Sequence, residues 1–207
     1  MKLHYFDIYA KAEAIRMTLT HAKVEFEDHR MQFADMPAIK PECEFGQVPL
    51  LEHDGKKMNQ SNSILRYLGK LYGYYPADVY EQFLVDSAID AVEDLYTKLV
   101  RHHFEKDEER KKTLQEEATK YLQVVLTAFE KRLQSNTTQK HLVGDKLTVA
   151  DIAFFALTTS TMINEANGLV AELKPLVEAN SVISAYIENM KEEFKEYLAT
   201  RPQPRPF

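Results

Sequence analysis

One short stretch, residues 45–68, constrains the fold more than any other part of the chain. Its centre, Asp54-Gly55, is typical of a two-residue hairpin turn. The turn predicts paired strands over Leu50–His53 and Lys56–Asn59, followed by a helix over Ser61–Leu71. The first third of the chain therefore contains a small sheet that is followed directly by a helix.

The start of that helix and the proline before the hairpin suggest a use for the segment. Gln60, Ser61 and Asn62 give the helix a polar first turn. Free N–H groups and the positive dipole end at a helix start suit a carboxylate or phosphate. Pro49 opens the first hairpin strand, where proline is tolerated and can follow a cis peptide bond. Many folds contain a hairpin and a helix, so an anion site and a plain structural role both remain open.

Composition excludes several classes of protein. The chain has 207 residues, 44% of them hydrophobic, which supports an ordered core. A net charge of −6 gives no basic surface for nucleic acid. The single cysteine, Cys43, cannot form an internal disulfide, and no signal peptide or apolar stretch of membrane-spanning length is visible. We expect a soluble, cytoplasmic protein with no membrane span.

The pattern of elements predicts two domains. Residues 1–76 read as strand, helix, strand, short helix, strand, strand and helix. The first strands lie over residues 2–7 and 24–30, the first helix over 12–22, and residues 35–41 form a loop with at most a helical turn. After Gly73-Tyr74-Tyr75-Pro76 the chain shows almost only helical periodicity. We therefore predict an α+β thioredoxin-like domain (a mixed four-stranded sheet with helices) over 1–76 and an all-α helical bundle over 80–207.

Five motifs in order along the chain resemble the tyrosine-type cytosolic glutathione transferases, nearest to sigma-type or mu-type members. They are Tyr5-Phe6 with Ala12-Glu13-x-x-Arg16, the segment Val48-Pro49-Leu50-Leu51 to Leu68, Asp90-Ala91-Val92-Glu93-Asp94-Leu95, Gly144-Asp145-Lys146-Leu147-Thr148-Val149-Ala150-Asp151-Ile152, and Leu198-Ala199-x-Arg201-Pro202. The resemblance implies an enzyme that uses glutathione as co-substrate, with no metal and no redox cofactor.

In the family, a tyrosine at the end of the first strand donates a hydrogen bond to the glutathione sulfur. Tyr5 occupies that position. The thiolate, not the thiol, is the nucleophile. A hydrogen bond to a charged group contributes about 1.5–3 kcal/mol, or about 1–2 pKa units, which moves a thiol toward ionisation near neutral pH.

The remaining glutathione contacts follow from the resemblance. Gln60 and Ser61 hold the γ-glutamyl carboxylate, with Gln47 nearby, while the backbone of Val48 before a cis Pro49 pairs with the cysteinyl segment. Lys40 lies near the glycyl carboxylate. Two further positions depart from the family: Met36 stands where tryptophan is usual and Lys11 where sigma-type members often carry arginine. Methionine cannot donate an N–H and lysine gives no bidentate fork, so each change is expected to weaken binding.

The resemblance implies a dimer whose interface includes an acidic stripe on the middle helix. Asp86, Asp90, Glu93 and Asp94 recur at spacings of three and four, which is typical of a solvated helix face. By resemblance, this helix lines a two-fold interface, Asp90 meets the γ-glutamyl ammonium in the partner's site, and Arg66 faces the stripe across the interface. Phe45 resembles an aromatic key that some classes insert into the partner.

The electrophile pocket is expected between the two domains. Candidate residues, each of which could equally be core or surface, are Ile8, Tyr9, Tyr96, Leu99, Phe104, Met162 and Phe207. The adjacent histidines at 102 and 103 point in different directions on a helix, so we predict no metal site there. Thr148 to Asp151 predicts a capping box at a buried helix start, with no part in catalysis.

The sequence thus predicts a homodimeric glutathione transferase that conjugates glutathione to hydrophobic electrophiles in detoxification. Two alternatives remain open at this point. One is a glutathione-dependent prostaglandin isomerase or peroxidase. The other is a low-activity ligand-binding or crystallin-like structural protein.

Overall fold

The structure, a computed structural model, describes residues 1–202 and Arg205. Its strands are β1 (Lys2–Phe6), β2 (Glu27–Met31), β3 (Leu50–His53) and β4 (Lys56–Asn59). Its α-helices are α1 (Glu13–His21), α2 (Met36–Ile39), α3 (Ser61–Tyr72), α4 (Val79–Phe104), α5 (Glu108–Ser135), α6 (Val149–Leu157), α7 (Val170–Glu178), α8 (Ser181–Glu193) and α9 (Lys195–Thr200). A π-helical turn, Thr158–Met162, continues α6.

The four strands form one mixed sheet in the order β2-β1-β3-β4. β1 runs parallel to β2, with Tyr5 opposite Arg30, and antiparallel to β3, with Leu3 opposite Leu51. The hairpin of β3 and β4 turns at Asp54-Gly55, as the sequence predicted. The predicted fold class, a mixed four-stranded sheet with helices followed by a helical domain, is confirmed.

Two details of the predicted elements differ from the structure. The second strand begins at Glu27, later than predicted, because the Val24 N–H still bonds to Leu19 O at the end of α1. The segment over 35–41, predicted as a loop with at most a helical turn, has more helical structure than that, since α2 lies between 3₁₀ turns at Phe33–Asp35 and Lys40–Glu42. Pro37 in the first turn of α2 and Pro41 in the 3₁₀ turn after it allow this, since the N–H at such a position needs no partner.

The apolar side chains form two cores. The smaller one lies between the sheet and helices α1 and α3, and includes Leu3, Ile15 and Leu68. The larger one fills the helical bundle, where α4 contributes Val85, Ala88, Val92, Leu95 and Leu99 to a core shared with α5 and α6. None of the described helices combines the length with the apolar composition that a membrane-spanning segment needs.

The two units meet where α3 passes the start of α6. A Cβ on Gly69 would lie 2.8 Å from Val149 Cγ1, so only glycine permits this approach. The Tyr74 N–H bonds to Gly69 O at 2.8 Å, and the Val149 N–H bonds to Tyr74 O at 2.9 Å. The close contact fixes α3 against α6, and the candidate site lies at the other end of α3, at its N-terminus.

Asp151 holds the start of α6. Its carboxylate is fully buried and completes the predicted capping box with Thr148, whose N–H donates at 2.9 Å. It also accepts from the Leu142 N–H at 2.7 Å and the Tyr186 hydroxyl at 3.2 Å. The residue therefore ties together three segments of the helical core.

Candidate active site

A polar cavity of about 310 Å³ opens at the N-terminus of α3, beside the turn before β3. Six of the nine residues predicted to contact glutathione line it: Lys11, Gln47, Val48, Pro49, Gln60 and Ser61. Phe45, Asn59, Asn62 and Glu93 complete the wall. The sequence therefore brings most of the predicted set together around one helix start.

The turn before β3 is held by Asn59, a residue that sequence reasoning missed. The Val48–Pro49 peptide bond is cis, as predicted. The buried side-chain amide of Asn59 donates to Gln47 O at 2.9 Å and to Pro49 O at 3.0 Å, and its oxygen accepts from the Glu44 N–H at 2.8 Å. Both N–H groups of this amide and one lone pair of its oxygen thus hold the turn that borders the cavity.

The helix start itself is exposed to the cavity. Gln60 precedes α3 with φ +70°, a left-handed conformation that is costly for a residue other than glycine. Its side chain makes no capping hydrogen bond. The first N–H groups of α3 and the half-buried Ser61 therefore face a site suited to an anion.

Tyr5 lies at the end of β1 with 5% of its surface exposed. Its hydroxyl oxygen accepts a hydrogen bond from the Lys11 N–H at 3.2 Å, so its own proton is free to be donated. Burial raises the pKa of Tyr5 to about 12, although the Lys11 N–H and the nearby Arg16 guanidinium lower it. The phenol is therefore a neutral hydrogen-bond donor near pH 7.

Glu93 of α4 connects the two units at the site. Its carboxylate forms an ion pair with the Lys11 ammonium and accepts from the Asn62 amide at 3.3 Å. The same ammonium lies 4.2 Å from the centre of the Tyr96 ring. Glu93 and Asn62 were not predicted as site residues, although Glu93 belonged to the acidic stripe that marked this helix.

Lys40 and Met36 were also predicted to contact glutathione, and neither of them lines the cavity. Gly46 has φ +64°, and the Lys40 side chain packs over it, with Cε 3.3 Å from where a Cβ would stand. Lys40 therefore lies beside the segment that carries Gln47. Met36, half-buried at the start of α2, does not line the cavity.

Asp90 and Arg66 correct one expectation. Arg66 was expected to face the acidic stripe of a partner subunit, but it contacts the stripe of its own chain. Its Nε donates to Asp86 Oδ1 at 2.6 Å and its Nη2 donates to Asp90 Oδ1 at 2.9 Å. The Tyr75 hydroxyl adds a bond to Asp86 at 2.9 Å. The like charges of the stripe are neutralised in the same chain because α3 packs alongside α4. Asp90 does not line the cavity and its side chain is 70% exposed.

A smaller groove of about 50 Å³ adjoins the polar cavity between the two units. It shares Lys11, Ser61, Asn62 and Glu93 with that cavity, and its other walls are mostly small or apolar: Ala10, Ala14, Ile15, Leu65, Val92, Tyr96, Ala153, Ala156, Leu157 and Ser160. An apolar molecule held here would lie next to whatever occupies the polar cavity.

The structure places only Tyr96 of the predicted electrophile residues in this groove. Leu99 and Met162 are buried in the helical core, at 1% and 0% exposure, because both sit on inward faces of their helices. Phe104 is 73% exposed at the end of α4. None of these three lines the groove. Phe207 lies outside the described residues.

Ile8 and Tyr9 lie on the loop after β1. Ile8 packs on the sheet core, and the Tyr9 ring is buried beneath the Arg201 guanidinium at 4.3 Å. The Tyr9 hydroxyl donates to Pro202 O at 2.7 Å. The chain after α9 thus returns to the loop that carries Lys11. Neither Ile8 nor Tyr9 lines the groove.

Comparison with known proteins settles the family. The N-terminal domain model of glutathione S-transferases matches residues 1–70, and their C-terminal domain model matches residues 93–201. Glutathione S-transferase 1 of Ascaris suum is 34% identical over 209 residues, covering 98% of this chain and 97% of its own. The chain belongs to the glutathione S-transferase family.

Two solved structures show how closely this transferase follows the family fold. Prostaglandin synthase D of Nilaparvata lugens has a TM-score of 0.83 and 29% identity, covering 98% of both chains. Na-GST-3 of Necator americanus, described as monomeric, has the same TM-score and 29% identity, covering 98% of each chain. Among the described residues, no group of three His, Cys, Asp or Glu side chains is arranged to hold a metal ion. The transferase uses glutathione as its co-substrate.

Proposed function

We propose that Tyr5 activates glutathione by donating its hydroxyl hydrogen bond to the cysteinyl sulfur. The observation that carries this proposal is the arrangement at the end of β1: a buried, neutral phenol whose oxygen already accepts the Lys11 N–H. A hydrogen bond from such a donor contributes about 1.5–3 kcal/mol to a thiolate. That stabilisation lowers the pKa of the thiol by about 1–2 units and raises the concentration of the nucleophile at neutral pH.

Glutathione would occupy the polar cavity. In this assignment Gln60 and Ser61 hold the γ-glutamyl carboxylate at the α3 N-terminus, where N–H groups and the helix dipole favour an anion. The cysteinyl backbone pairs with Val48 beside cis Pro49, with Gln47 nearby. Lys40 and Lys11 supply cationic charge, and Met36 leaves one family donor without a replacement.

The second substrate would bind in the apolar groove, where the two units meet. Residues 1–76 thus bind glutathione, and residues 80–207 supply Glu93, Tyr96 and the α6 wall. The thiolate attacks an electrophilic carbon of a hydrophobic compound held there, and the leaving group or addition product departs through the open side. Holding both reactants at one junction supplies the orientation that a bimolecular reaction lacks.

We also propose that the transferase is a cytoplasmic homodimer. Val79, Tyr80 and Phe83 at the start of α4 are between 60% and 78% exposed, and exposed large apolar groups in one patch mark an interaction surface. Asp90 follows on the same face of α4 and would reach the γ-glutamyl ammonium of glutathione in the partner's site. Phe45, 57% exposed at the rim of the polar cavity, is the aromatic contact of this interface. The single cysteine fits a reducing compartment.

Conjugation of glutathione to 1-chloro-2,4-dinitrobenzene tests the role of Tyr5. We expect a clear rate for the wild type and a loss of tenfold or more in Tyr5→Phe, or about 1.4 kcal/mol of transition-state stabilisation. The pH at which the rate rises should move up by about 1–2 units in the variant. Tyr72→Phe removes a hydroxyl that donates to the Met1 sulfur at 3.9 Å, away from the residues that line the polar cavity, and is the matched control. An unchanged rate in Tyr5→Phe would assign the sulfur contact to another group.

Similarity to prostaglandin synthase D of Nilaparvata lugens favours one second candidate, a glutathione-dependent prostaglandin isomerase. The same glutathione thiolate, stabilised by the Tyr5 hydroxyl, would serve, with the prostaglandin in the apolar groove. Turnover of a prostaglandin endoperoxide, measured beside conjugation, distinguishes the two. If isomerisation exceeds conjugation under equal conditions, the second candidate is the principal activity.

A further inference from the structure

The loop between β1 and α1 carries the backbone group that orients Tyr5. Within this loop, residues 7–12, the Lys11 N–H donates to the Tyr5 hydroxyl oxygen at 3.2 Å. Ala10, directly before Lys11, has φ +37°, in the left-handed region that is costly for a residue with a Cβ. Because the Lys11 N–H belongs to the peptide that follows Ala10, its direction depends on this strained backbone. Such a conformation persists only where surrounding contacts hold it.

The end of the chain contacts this loop on both sides of Ala10. We call the described residues beyond α9 the C-terminal strap: Arg201, Pro202 and Arg205. Before Ala10, the Tyr9 hydroxyl donates to Pro202 O at 2.7 Å. After it, Arg201 Nη1 donates to Oε1 of Glu13, the first residue of α1, at 2.8 Å. The two contacts span the strained residue, so together they limit how far its backbone can relax.

Arg201 makes the most buried contacts of the strap. Its side chain is 9% exposed, and the side chain of Glu13 is fully buried. The guanidinium lies 4.3 Å from the centre of the Tyr9 ring, and its Nη2 donates to Thr159 O at 3.2 Å in the π-helical turn after α6. Arg201 thus fixes the loop against the helical unit. It also gives the Glu13 carboxylate its hydrogen bond, while Arg16 Nη1 lies 3.9 Å from the other carboxylate oxygen.

Arg205 holds the outer end of the same loop. Its Nη2 donates at 2.7 Å to Oδ2 of Asp7, which directly follows β1, and Arg30 of β2 donates to the other oxygen at 3.2 Å. The backbone of Arg205 is tied to the helical unit, because Asn164 Nδ2 donates to Arg205 O at 2.7 Å. The Arg205 contact is more exposed than that of Arg201, so we expect it to contribute less.

Arg16 holds the same loop from the inside. Its Nη2 donates to Phe6 O at 3.3 Å and its Nη1 donates to Ile8 O at 2.7 Å. Loss of the strap should therefore loosen the loop without releasing it. The charges that act on Tyr5 are those of Arg16 and Glu93, so an effect of the strap on Tyr5 has to pass through the loop.

We propose that the C-terminal strap is a positioning element for the reaction, in which Arg201 holds the strained loop so that the Lys11 N–H stays on the Tyr5 oxygen. This role depends on the proposed function of Tyr5 as the donor to the glutathione sulfur. A phenol whose oxygen accepts a hydrogen bond donates its own proton more strongly, because the two bonds polarise each other. Burial raises the pKa of Tyr5, and the Lys11 N–H lowers it. Loss of Arg201 weakens that bond and with it the stabilisation of the thiolate.

The pH dependence of conjugation to 1-chloro-2,4-dinitrobenzene at saturating glutathione tests the strap. We expect the pH at which the rate rises to move up by about half a unit in Arg201→Met, and the rate at pH 6.5 to fall about threefold. Both effects are smaller than in Tyr5→Phe, because Arg16 still holds the loop. Ala10→Gly relieves the strained backbone, since glycine adopts positive φ freely. The shift caused by Arg201→Met should therefore be much smaller when it is measured in an Ala10→Gly background.

Stability has to be separated from positioning, because Arg201→Met also leaves a buried carboxylate less compensated. Asp151→Ala lowers stability at the start of α6 and leaves the loop intact, so its rate should rise at the same pH as in the wild type. Lys195→Met breaks a surface ion pair of α9 and should change neither property. Arg205→Met removes only the more exposed contact with Asp7. It should shift the profile in the same direction by a smaller amount, which tests the strap even if Arg201→Met folds poorly.

The outcomes distinguish the strap from the proposed function of Tyr5. A wild-type profile in Arg201→Met, beside a shifted profile in Tyr5→Phe, would overturn the strap and keep Tyr5 as the donor. An unshifted profile in Tyr5→Phe would overturn the proposed function itself. An equal shift in Asp151→Ala would show that lower stability moves the profile. An undiminished effect of Arg201→Met in the Ala10→Gly background would exclude the strained backbone as the link to Tyr5.

Discussion

At the scale of single residues, Lys11 has two roles that can be separated. Its N–H orients the Tyr5 hydroxyl, and its ammonium neutralises Glu93 at the cavity wall. Replacing the side chain in Lys11→Met keeps the N–H but leaves Glu93 uncompensated beside an anionic substrate. We expect the KM for glutathione to rise about tenfold, or about 1.4 kcal/mol, with kcat changed much less. Steady-state kinetics at varied glutathione concentration measure both.

A second substitution identifies the cause of that loss. Removing both charges in Lys11→Met with Glu93→Gln should recover most of the affinity if repulsion from Glu93 is responsible. A double variant as weak as Lys11→Met alone would mean that the ammonium contacts glutathione directly. An unchanged KM in Lys11→Met would contradict both explanations, because the ammonium would then neither compensate Glu93 nor contact glutathione. Lys98→Met, on another face of α4, is the matched control.

The individual residues also show where sequence reasoning reached its limit. Pro49, Gln60 and Ser61 could be placed at a site because hairpin, proline and helix-start signals are local in sequence. Asn59 could not, because its role depends on a turn twelve residues earlier in the chain that folds back over it. The pairing of Glu93 with Lys11 spans 82 residues, and no local pattern reveals which acid of a stripe faces inward.

At the scale of elements, the start of α6 depends on Asp151. Removing its carboxylate in Asp151→Ala leaves buried donors on Thr148, Leu142 and Tyr186 without an acceptor. Loss of a helix cap costs about 1–2 kcal/mol, and buried unsatisfied donors add to this. We expect the free energy of unfolding in urea to fall by at least about 2 kcal/mol. Asp145→Ala, at an exposed position of the same loop, should change it by less than about 0.5 kcal/mol.

The sheet carries a pH-dependent contribution at His4. This buried ring on β1 bonds to His29 Nδ1 at 2.9 Å and to Glu52 Oε1 at 2.7 Å. Burial lowers the pKa of His4, although Glu52 raises it, so the folded protein favours the neutral ring. The unfolded chain binds the extra proton below its ordinary pKa of about 6.5, so stability decreases as the pH falls through and below that value.

Comparison of unfolding free energies at pH 7.5 and pH 5 checks this contribution. We expect the wild type to lose more stability over that range than His4→Asn does, because the variant has no ring to protonate. His53→Gln, on β3 of the same sheet, should behave like the wild type. Equal losses in the wild type and His4→Asn would show that other groups produce the acid sensitivity.

The elements themselves were largely predictable, for a physical reason. The β3–β4 hairpin and the capping box at Thr148 depend on turn and cap residues that act within four positions. The segment after β2 was harder, because Pro37 and Pro41 indicate a break in long helices but also open short ones. A break and a first helical turn look the same in sequence.

At the scale of the whole molecule, packing between distant segments determines which helix faces are covered and which stay exposed. Sequence periodicity alone does not show this. By resemblance, the acidic stripe of α4 lines an interface, but Arg66 of α3 already pairs with Asp86 and Asp90 within the chain. The first turns of α4 and the outer side of Asp90 remain exposed and available to a partner.

Val79, Phe83, Asp86 and Asp90 recur at spacings of four, three and four, so they lie on one face of α4. Apolar groups at one end and a carboxylate at the other fit a self-complementary, two-fold contact. A charge in the apolar part, Phe83→Asp, should convert a species of twice the chain mass into one of the chain mass in gel filtration with light scattering. Val124→Asp, at an exposed apolar position of α5, should leave the mass unchanged.

The same variant tests whether each site needs both subunits. If Asp90 reaches the partner's glutathione, monomeric Phe83→Asp should have a raised KM for glutathione, while Tyr5 still lowers the pKa of whatever thiol is bound. Asp90→Asn should then raise KM in the dimer and have no effect in the monomer, because its target lies on the other chain. A wild type of single-chain mass, as in the monomeric relative Na-GST-3, would overturn the dimer. A dimer whose KM is unaffected by Asp90→Asn would mean that each chain holds a complete site.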